Sequence, residues 1–357
     1  YQYQPNWIFQ GSYTTYQGSQ TYLPVNPYIP DFHWASKKDY NGHLTFGLFK
    51  DWLLIDAGVY LSRTSNQLLE ANLPAQTGFI YTIDNAPYTL QNKGWELSVS
   101  PGRRSDGPRA KFVWTAPRFN ISRNYNKLVG IPANSIYAGF YFSGNPASAV
   151  AFVKCLGVDP ATGLFQYLKA DGTVSTRANG APVSLGGDAN QLIDLAPSVQ
   201  FGFGDGFSWR GLSVSFDGSF IKQKGYNHLY TVYGALTTAF PGRPSFNQPA
   251  ALLGKQWQKP GDKAAIARFS TNLSDFTFPY STGIISTISY LRLTNLNIDY
   301  ELPGRFLRKW HVQHCHLYIH IQNLLTLTSY PVGDPESQNI YTIPPQRIIS
   351  CGTNLDL

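Results

Sequence analysis

The sequence predicts an all-β protein whose strands form the wall of a transmembrane antiparallel β-barrel. Three observations carry that expectation. The first is composition: of 357 residues, 23 are Tyr, 22 Phe, 32 Gly and 24 Pro, while only 14% are charged, a strand-and-turn balance. The second is a set of long segments in which apolar and polar residues alternate, because strand side chains point to opposite faces with a period of two. The third is that the links between these segments alternate between short and long. No run approaches 18 apolar residues, which excludes a helical span but is silent about barrel strands.

In chain order, alternation bounded by turn residues marks about ten strands. Asn6 to Gln17 is the first, with Trp7, Phe9 and Tyr13 on one side. His43 to Phe49 carries Leu44, Phe46 and Leu48, and Lys50-Asp51 makes a two-residue turn. Trp52 to Arg63 sets Leu53, Ile55, Ala57, Val59 and Leu61 against Leu54, Asp56, Gly58 and Tyr60. Gln91 to Ser100 sets Trp95, Leu97 and Val99 against Glu96 and Ser98. Ala110 to Ile121 carries Phe112 and Trp114, with Pro117 marking a bulge because proline cannot donate to a ladder.

Ser198 to Gly204 is short. An Asp205-Gly206 link then leads into Phe207 to Lys222, where Leu212, Val214, Phe216 and Phe220 oppose Ser213, Ser215, Asp217 and Ser219. Ser286 to Leu302 slips parity between Leu293 and Leu296, which reads as a β-bulge. In His311 to Leu325, Cys315, Leu317, Ile319 and Ile321 alternate with His314, His316, Tyr318, His320 and Gln322. Pro345 to Leu357 closes the set.

The links at 18–42, 64–90, 122–197, 223–285 and 326–344 are long, and those between them are short. Antiparallel neighbours joined in this way collect short turns at one rim and long loops at the other, as outer-membrane barrels do. A soluble sandwich has no reason to sort its loops by rim. The same sorting puts the C-terminus at the short-turn, periplasmic rim. The apolar faces of the four cleanest strands carry no Asp, Glu, Lys or Arg.

The net charge of +7 raises nucleic acid as a partner, but the basic residues are scattered through loops, which argues against it. Cys155, Cys315 and Cys351 are odd in number and form no metal-binding pair. Parity puts Cys315 and Cys351 on the apolar face, so they read as small buried hydrophobes. The chain opens at Tyr1 without a signal-peptide pattern, and so reads as a mature product or a piece of something longer.

Several stretches then point to one family. These are Arg63 to Leu69 (RTSNQLL), Asn92 to Leu97 (NKGWEL) and Gly157 to Tyr167 (GVDPATGLFQY). They continue with Trp257 and Pro260-Gly261-Asp262, Tyr290 to Leu296 (YLRLTNL), and Gln322 to Thr326 (QNLLT) followed by Tyr330 and Gly333 to Glu336 (GDPE). In this order they resemble the C-terminal part of a SusC/RagA-type TonB-dependent outer-membrane transporter. The resemblance implies that residues 1–357 supply the last strands of a barrel of about 22. It also implies a plug inside the barrel, a SusD-like surface lipoprotein as lid, and import of glycan or peptide fragments energised by TonB through the plug. The chain departs from the family in showing no plug, no TonB box and only about ten strands. It also ends in Leu357 where such barrels often end in an aromatic residue. A second reading, from another class, is a SusC-derived barrel serving as a structural scaffold in a larger outer-membrane complex.

No catalytic arrangement is present: there is neither a Ser/His/Asp set nor a nucleophile elbow, and no cofactor is implied. His314 and His316 would stand about 7 Å apart with Cys315 on the other face, which disfavours a metal. Asp159 to Gly163 and Ala170 to Gly172 lack calcium-loop spacing and read as turns. Asp334 and Glu336 lie in a Gly/Pro loop and likewise read as turn residues. The resemblance makes Asp217, His316, His320 and Gln322 lumen-lining. Tyr28, Trp34, Tyr226, Tyr230, Tyr233 and Trp257 are candidates to contact ligand or lid, since flat rings stack on sugar faces. Interface girdles and self-packed loop cores remain the alternative for these rings.

Overall fold

The structure, a computed structural model, describes residues 7–9, 15–20, 22–24, 27–101, 112–114, 117–132, 137, 139–227, 254–268, 277–308, 311–331, 333–338 and 342–356. Its main feature is a ten-stranded sheet. The strands are β1 (Ser36–Leu48), β2 (Leu53–Ser65), β3 (Thr89–Pro101), β4 (Phe112–Trp114), β5 (Arg118–Val129), β6 (Pro197–Trp209), β7 (Leu212–Tyr226), β8 (Ile285–Glu301), β9 (His314–Thr328) and β10 (Ile348–Asp356). The spatial order is β10-β9-β8-β7-β6-β5-β3-β2-β1, with β4 also on β6. Every pair whose register is described is antiparallel. The sheet is an open meander, with β1 and β10 as its two edges.

Most strands run 12 to 17 residues, far beyond the roughly 5–6 usual in soluble sheets. The short links are 49–52, 210–211 and 302–313; the long ones are 66–88, 130–196, 227–284 and 329–347. Successive links therefore fall at opposite ends of the meander, short at one and long at the other. The end of β10 lies at the short-turn end, where Gln313 N–H donates to the Asp356 carbonyl at 2.8 Å.

Several boundaries differ from the sequence reading. Of the stretch Asn6 to Gln17, the described residues 7–9 and 15–17 are not part of the wall. Gln17 and Gly18 take φ of 51° and 78°, so Thr15–Tyr16 folds back on Ser19–Gln20, and Trp7–Phe9 pairs with Tyr22–Pro24. The first wall strand begins at Ser36 rather than His43. Asp205-Gly206 is not a link either. Asp205 and Gly206 pair with Phe216 and Ser215 inside one continuous strand, and the turn is Arg210-Gly211, with φ of 50° and 88°. Both left-handed values are what a two-residue hairpin with the right twist requires.

Lys50-Asp51 does form a turn, flanked by Phe49, with φ of 54°, 59° and 62° for the three residues. The wall is interrupted around Pro117 between β4 and β5. The register of β8 slips between Leu293 and Asn295, leaving Thr294 as the bulge; its Oγ1 donates to the Asp217 carbonyl at 3.0 Å. The link between β3 and β4, residues 102–111, lies outside the described residues.

The chain divides into two compact units: residues 1–41, 60–93 and 125–149, and residues 42–59, 94–124 and 150–357. The first has a small aromatic core of Ala86, Tyr88, Leu128 and Tyr137. The second holds most of the sheet and a loop core of Phe152, Val153, Phe165, Tyr167, Ala189, Ile266, Phe278 and Ile284. There Phe165 and Phe278 stack at 4.2 Å. The long loops of this unit thus bury a core of their own. Among the described residues, no helix is long and apolar enough to cross a membrane.

Candidate functional site

Cross-strand partners share a face, so the register sorts the wall. Trp114, Phe207, Val214, Ile298, Ile319 and Cys351 form one row across β4 and β6 to β10. This face is apolar and largely uncovered: Ile319 is 42% and Ile349 63% exposed. Phe119, Phe201, Phe203, Phe216 and Phe220 form a ring cluster on it, with centroids 5.0 to 6.5 Å apart. Toward the short turns the rings become larger. Trp52 lies 5.6 Å from Trp114, and Arg210 and Arg305 sit over Trp209 and Phe306.

Cys315 is buried, whereas Cys351 is exposed. The expectation of burial fails for Cys351, which lies beside Ile319 on the uncovered apolar face. Asp205 also belongs to the apolar face. Its Oδ1 accepts from the Trp114 indole N–H at 2.8 Å and from the Gly206 N–H at 2.7 Å, which answers the cost of a carboxylate there.

The opposite face is polar. Arg118, Gly204, Asp217, Asn295, Gln322 and Ile348 form one row, and Gly206, Ser215, Asn297, His320 and Ser350 the next. Asp217, His316, His320 and Gln322 are therefore on one face, brought together by β7 and β9. Asp217 pairs with Arg118 at 2.8 Å. His316 and His320 reach the same Asp299 oxygen at 3.3 and 3.2 Å, and His314 reaches Glu301 at 3.2 Å. The Tyr318 ring lies between the two histidines and over Gly352, where a Cβ would collide with it. The sequence reading did not find Asp299 and Glu301. Among the described residues, no group of three His, Cys, Asp or Glu side chains is arranged to hold a metal.

Farther toward the long loops the same face turns apolar and is covered. Tyr330 packs on Ile288 and Tyr290, and its hydroxyl donates to the Tyr226 carbonyl at 3.2 Å; burial raises its pKa. Arg292, only 8% exposed, clamps this loop: its guanidinium pairs with Asp334, itself 7% exposed, and with Glu336 at 2.6 Å. The Asp334 carboxylate also accepts from the Ser337 N–H at 3.1 Å. The two sequence stretches around Arg292 and Asp334 are thus each other's partners, and their common presence was the available signal.

A second pair of stretches also meets. The Trp257 ring fills the space a Cβ would take at Gly163. Its indole N–H donates to the Pro160 carbonyl at 2.9 Å. Asp159 closes this turn by accepting from the Thr162 hydroxyl at 2.7 Å and the Ala161 N–H at 3.1 Å. These bonds hold its carboxyl below the ordinary carboxylate range, the Thr162 hydroxyl contributing most.

Of the aromatic candidates, Tyr28 and Trp34 are 63% and 78% exposed. Tyr226 is half-buried, packed on Phe152 and hydrogen-bonded to Gln338 and Tyr330. Trp257 is half-buried in its loop. Tyr230 and Tyr233 lie outside the described residues.

No family model matches the chain. It is similar to TonB-dependent receptor P3 of Formosa agariphila, 26% identical over 335 residues, covering 85% of this chain and 31% of that one. It is also similar to TonB-dependent receptor P26 of the same organism, 25% identical over 347 residues, covering 91% and 34%. The chain spans about a third of the length of these curated relatives. Among solved structures, a RagAB peptide transporter superposes with a TM-score of 0.77 at 20% identity over 99% of this chain and 39% of that one. The RagAB peptide importer in its open-open state gives 0.78, at 20% identity over 100% and 38%. The fold is therefore that of part of a RagA-like barrel, and the resemblance to SusC/RagA-type TonB-dependent transporters holds over nearly the whole chain.

Proposed function

Because the chain resembles SusC/RagA-type TonB-dependent transporters, we propose that it forms part of the barrel wall of a bacterial outer-membrane importer. In this reading residues 1–357 are the C-terminal portion of the barrel. The apolar face meets lipid and the polar face lines the lumen. The long loops face outward, where a SusD-like lipoprotein closes the top, and the short turns and the C-terminus lie on the periplasmic side. The cargo is a glycan or peptide fragment, and TonB supplies force through a plug. The protein moves its cargo without making or breaking bonds, so it is no enzyme and needs no cofactor.

One observation carries this reading: a meander with an uncovered apolar face, a polar face opposite, and links sorted by length at its two ends. Water would not tolerate such a continuous apolar face on a monomer, whereas lipid requires it. The polar side chains Asp217, His316, His320 and Gln322 then give cargo a hydrated path. Tyr28 and Trp34, free to stack on a flat ligand face, are the aromatic contacts best supported, with Tyr230 and Tyr233 as further candidates.

The test is membrane fractionation, followed by purification of the complete transporter and an uptake assay. The protein is expected in the detergent-extracted outer-membrane fraction, together with a surface lipoprotein, and deletion is expected to abolish uptake of one class of oligomer. Recovery as a soluble monomer would sink the proposal. A detergent-dependent complex without any uptake would favour the scaffold reading.

A further inference from the structure

At the short-turn end, the wall sets exposed rings and exposed cations side by side. Trp209 lies on the apolar face, in one row with Leu212, Tyr300 and Leu317. It is 48% exposed, and Phe306, in the link from β8 to β9, is 56% exposed. The Arg210 guanidinium stands over the Trp209 ring at 5.3 Å, and that of Arg305 over the Phe306 ring at 4.7 Å. The two links are neighbours, since Glu301 N–H donates to the Gly211 carbonyl at 2.9 Å. Arg210 and Arg305 are exposed, as is Arg308 in the same link. Among the described residues, none of the three has an ion pair. The nearby acids are engaged elsewhere: Glu301 reaches His314 on the polar face, and Asp205 accepts from Trp114 and Gly206.

A guanidinium stacked on a ring is held against apolar surface, and its planar fork of donors matches a phosphate bidentately. Next to the Trp209 row the apolar face continues in the row of Phe207, Val214, Ile298 and Ile319. The cations thus end where a continuous apolar surface begins. A ligand that satisfies both parts carries an anionic head and an apolar body. A free anion meets only the arginines. An acidic peptide or saccharide leaves the apolar rows bare. A phospholipid places its phosphate at the arginines and its acyl chains along the rows, and basic residues at a membrane edge favour lipids of net negative charge.

We propose that Arg210 and Arg305, with the Trp209 and Phe306 rings beneath them, form a binding site for the head of an anionic phospholipid. This rests on the reading in which the apolar face meets lipid, and adds to it a preference for one headgroup charge at one rim.

The experiment uses the complete detergent-solubilised transporter, stripped of lipid and then mixed with micelles containing phosphatidylglycerol or, separately, phosphatidylcholine. Native mass spectrometry counts the lipid each protein retains. The natural protein is compared with a double Arg210→Asn, Arg305→Gln variant and with a double Arg210→Lys, Arg305→Lys variant. Asparagine suits the left-handed position of the turn, and heat-modified gel mobility verifies that each barrel is folded. The natural protein is expected to retain phosphatidylglycerol in preference to phosphatidylcholine. The neutral variant should bind phosphatidylglycerol about tenfold more weakly with phosphatidylcholine unchanged, and the lysine variant should fall between the two. Unchanged phosphatidylglycerol binding by the neutral variant overturns the proposal. So does equal retention of both lipids by the natural protein, or displacement of phosphatidylglycerol by inorganic phosphate or by lipid A. Uptake in cells separates the two readings. Arginine-dependent phosphatidylglycerol binding without uptake of any oligomer leaves the site standing and removes the importer reading. Uptake by a natural protein that binds both lipids equally does the reverse.

Discussion

Arg292 shows how much one residue can decide. Its guanidinium is buried and held by two carboxylates, one buried and one open to solvent. Removing one partner of a buried pair leaves an uncompensated charge, at a cost of about 3–5 kcal/mol. Arg292→Ala should therefore free the loop that begins at Tyr330 from the wall, read as faster proteolytic nicking between residues 329 and 347. Glu336→Gln should do little, because exposed pairs contribute about 0–1 kcal/mol. Equal nicking in both variants would refute the clamp. Asp159 gives a prediction in pH. Its folded pKa lies below the unfolded value of about 3.9, so its stabilisation is fully present above that value and lost as pH falls through the folded one. Ala161 amide exchange, corrected for intrinsic rate, should stay protected near pH 5 and lose protection only below about pH 4. The Asp159 partners stand two and three positions away and read locally as a turn, whereas the Arg292 partnership is not legible by proximity. Arg292 and Asp334 are 42 positions apart, and only the two stretches together hint that they meet.

Strand elements were legible wherever one face is uniformly apolar, and illegible wherever a distant group rewrote the local signal. Phe216, Ile298 and Ile319 announce their strands because alternation is a local property. Asp205-Gly206 reads as a turn because that dipeptide is among the strongest hairpin signals. What keeps it extended is the Trp114 indole, 91 positions away. The real turn, Arg210-Gly211, uses a residue that enters the left-handed region unwillingly. Arg210→Asn should stabilise the hairpin by a few tenths of a kcal/mol. Gly211→Val should destabilise it by more than about 1 kcal/mol, since φ is 88° and the new Cβ would press on the Glu301 carbonyl at 2.6 Å. Denaturant titration of both variants in detergent checks this, and a tolerant Gly211 would contradict the turn. The start of β1 was missed for a similar reason. Lys37, Lys38 and Asp39 interrupt the apolar alternation there, and Lys37 and Asp39 pair at 3.0 Å.

At the scale of the whole molecule, two environments could explain an uncovered apolar face, and one substitution separates them. Ile319 is 42% exposed on that face, while its neighbour His320 points to the polar side. If the face meets water, Ile319→Lys is an ordinary surface change worth about ±0.5 kcal/mol. If it meets hydrocarbon, the lysine costs about 2–4 kcal/mol near mid-bilayer, falling toward 0–1 near the interfaces. His320→Lys should cost little in either case, because a hydrated polar face accepts the charge and Asp299 lies within reach. Folding of the complete transporter into phospholipid vesicles, followed by denaturant titration, measures both. A loss of about 2 kcal/mol or more for Ile319→Lys with little for His320→Lys fixes which side of the wall is lipid. The opposite ranking would turn the wall inside out, placing His316, His320 and Asp217 against the bilayer and removing the lumen on which the transport reading depends.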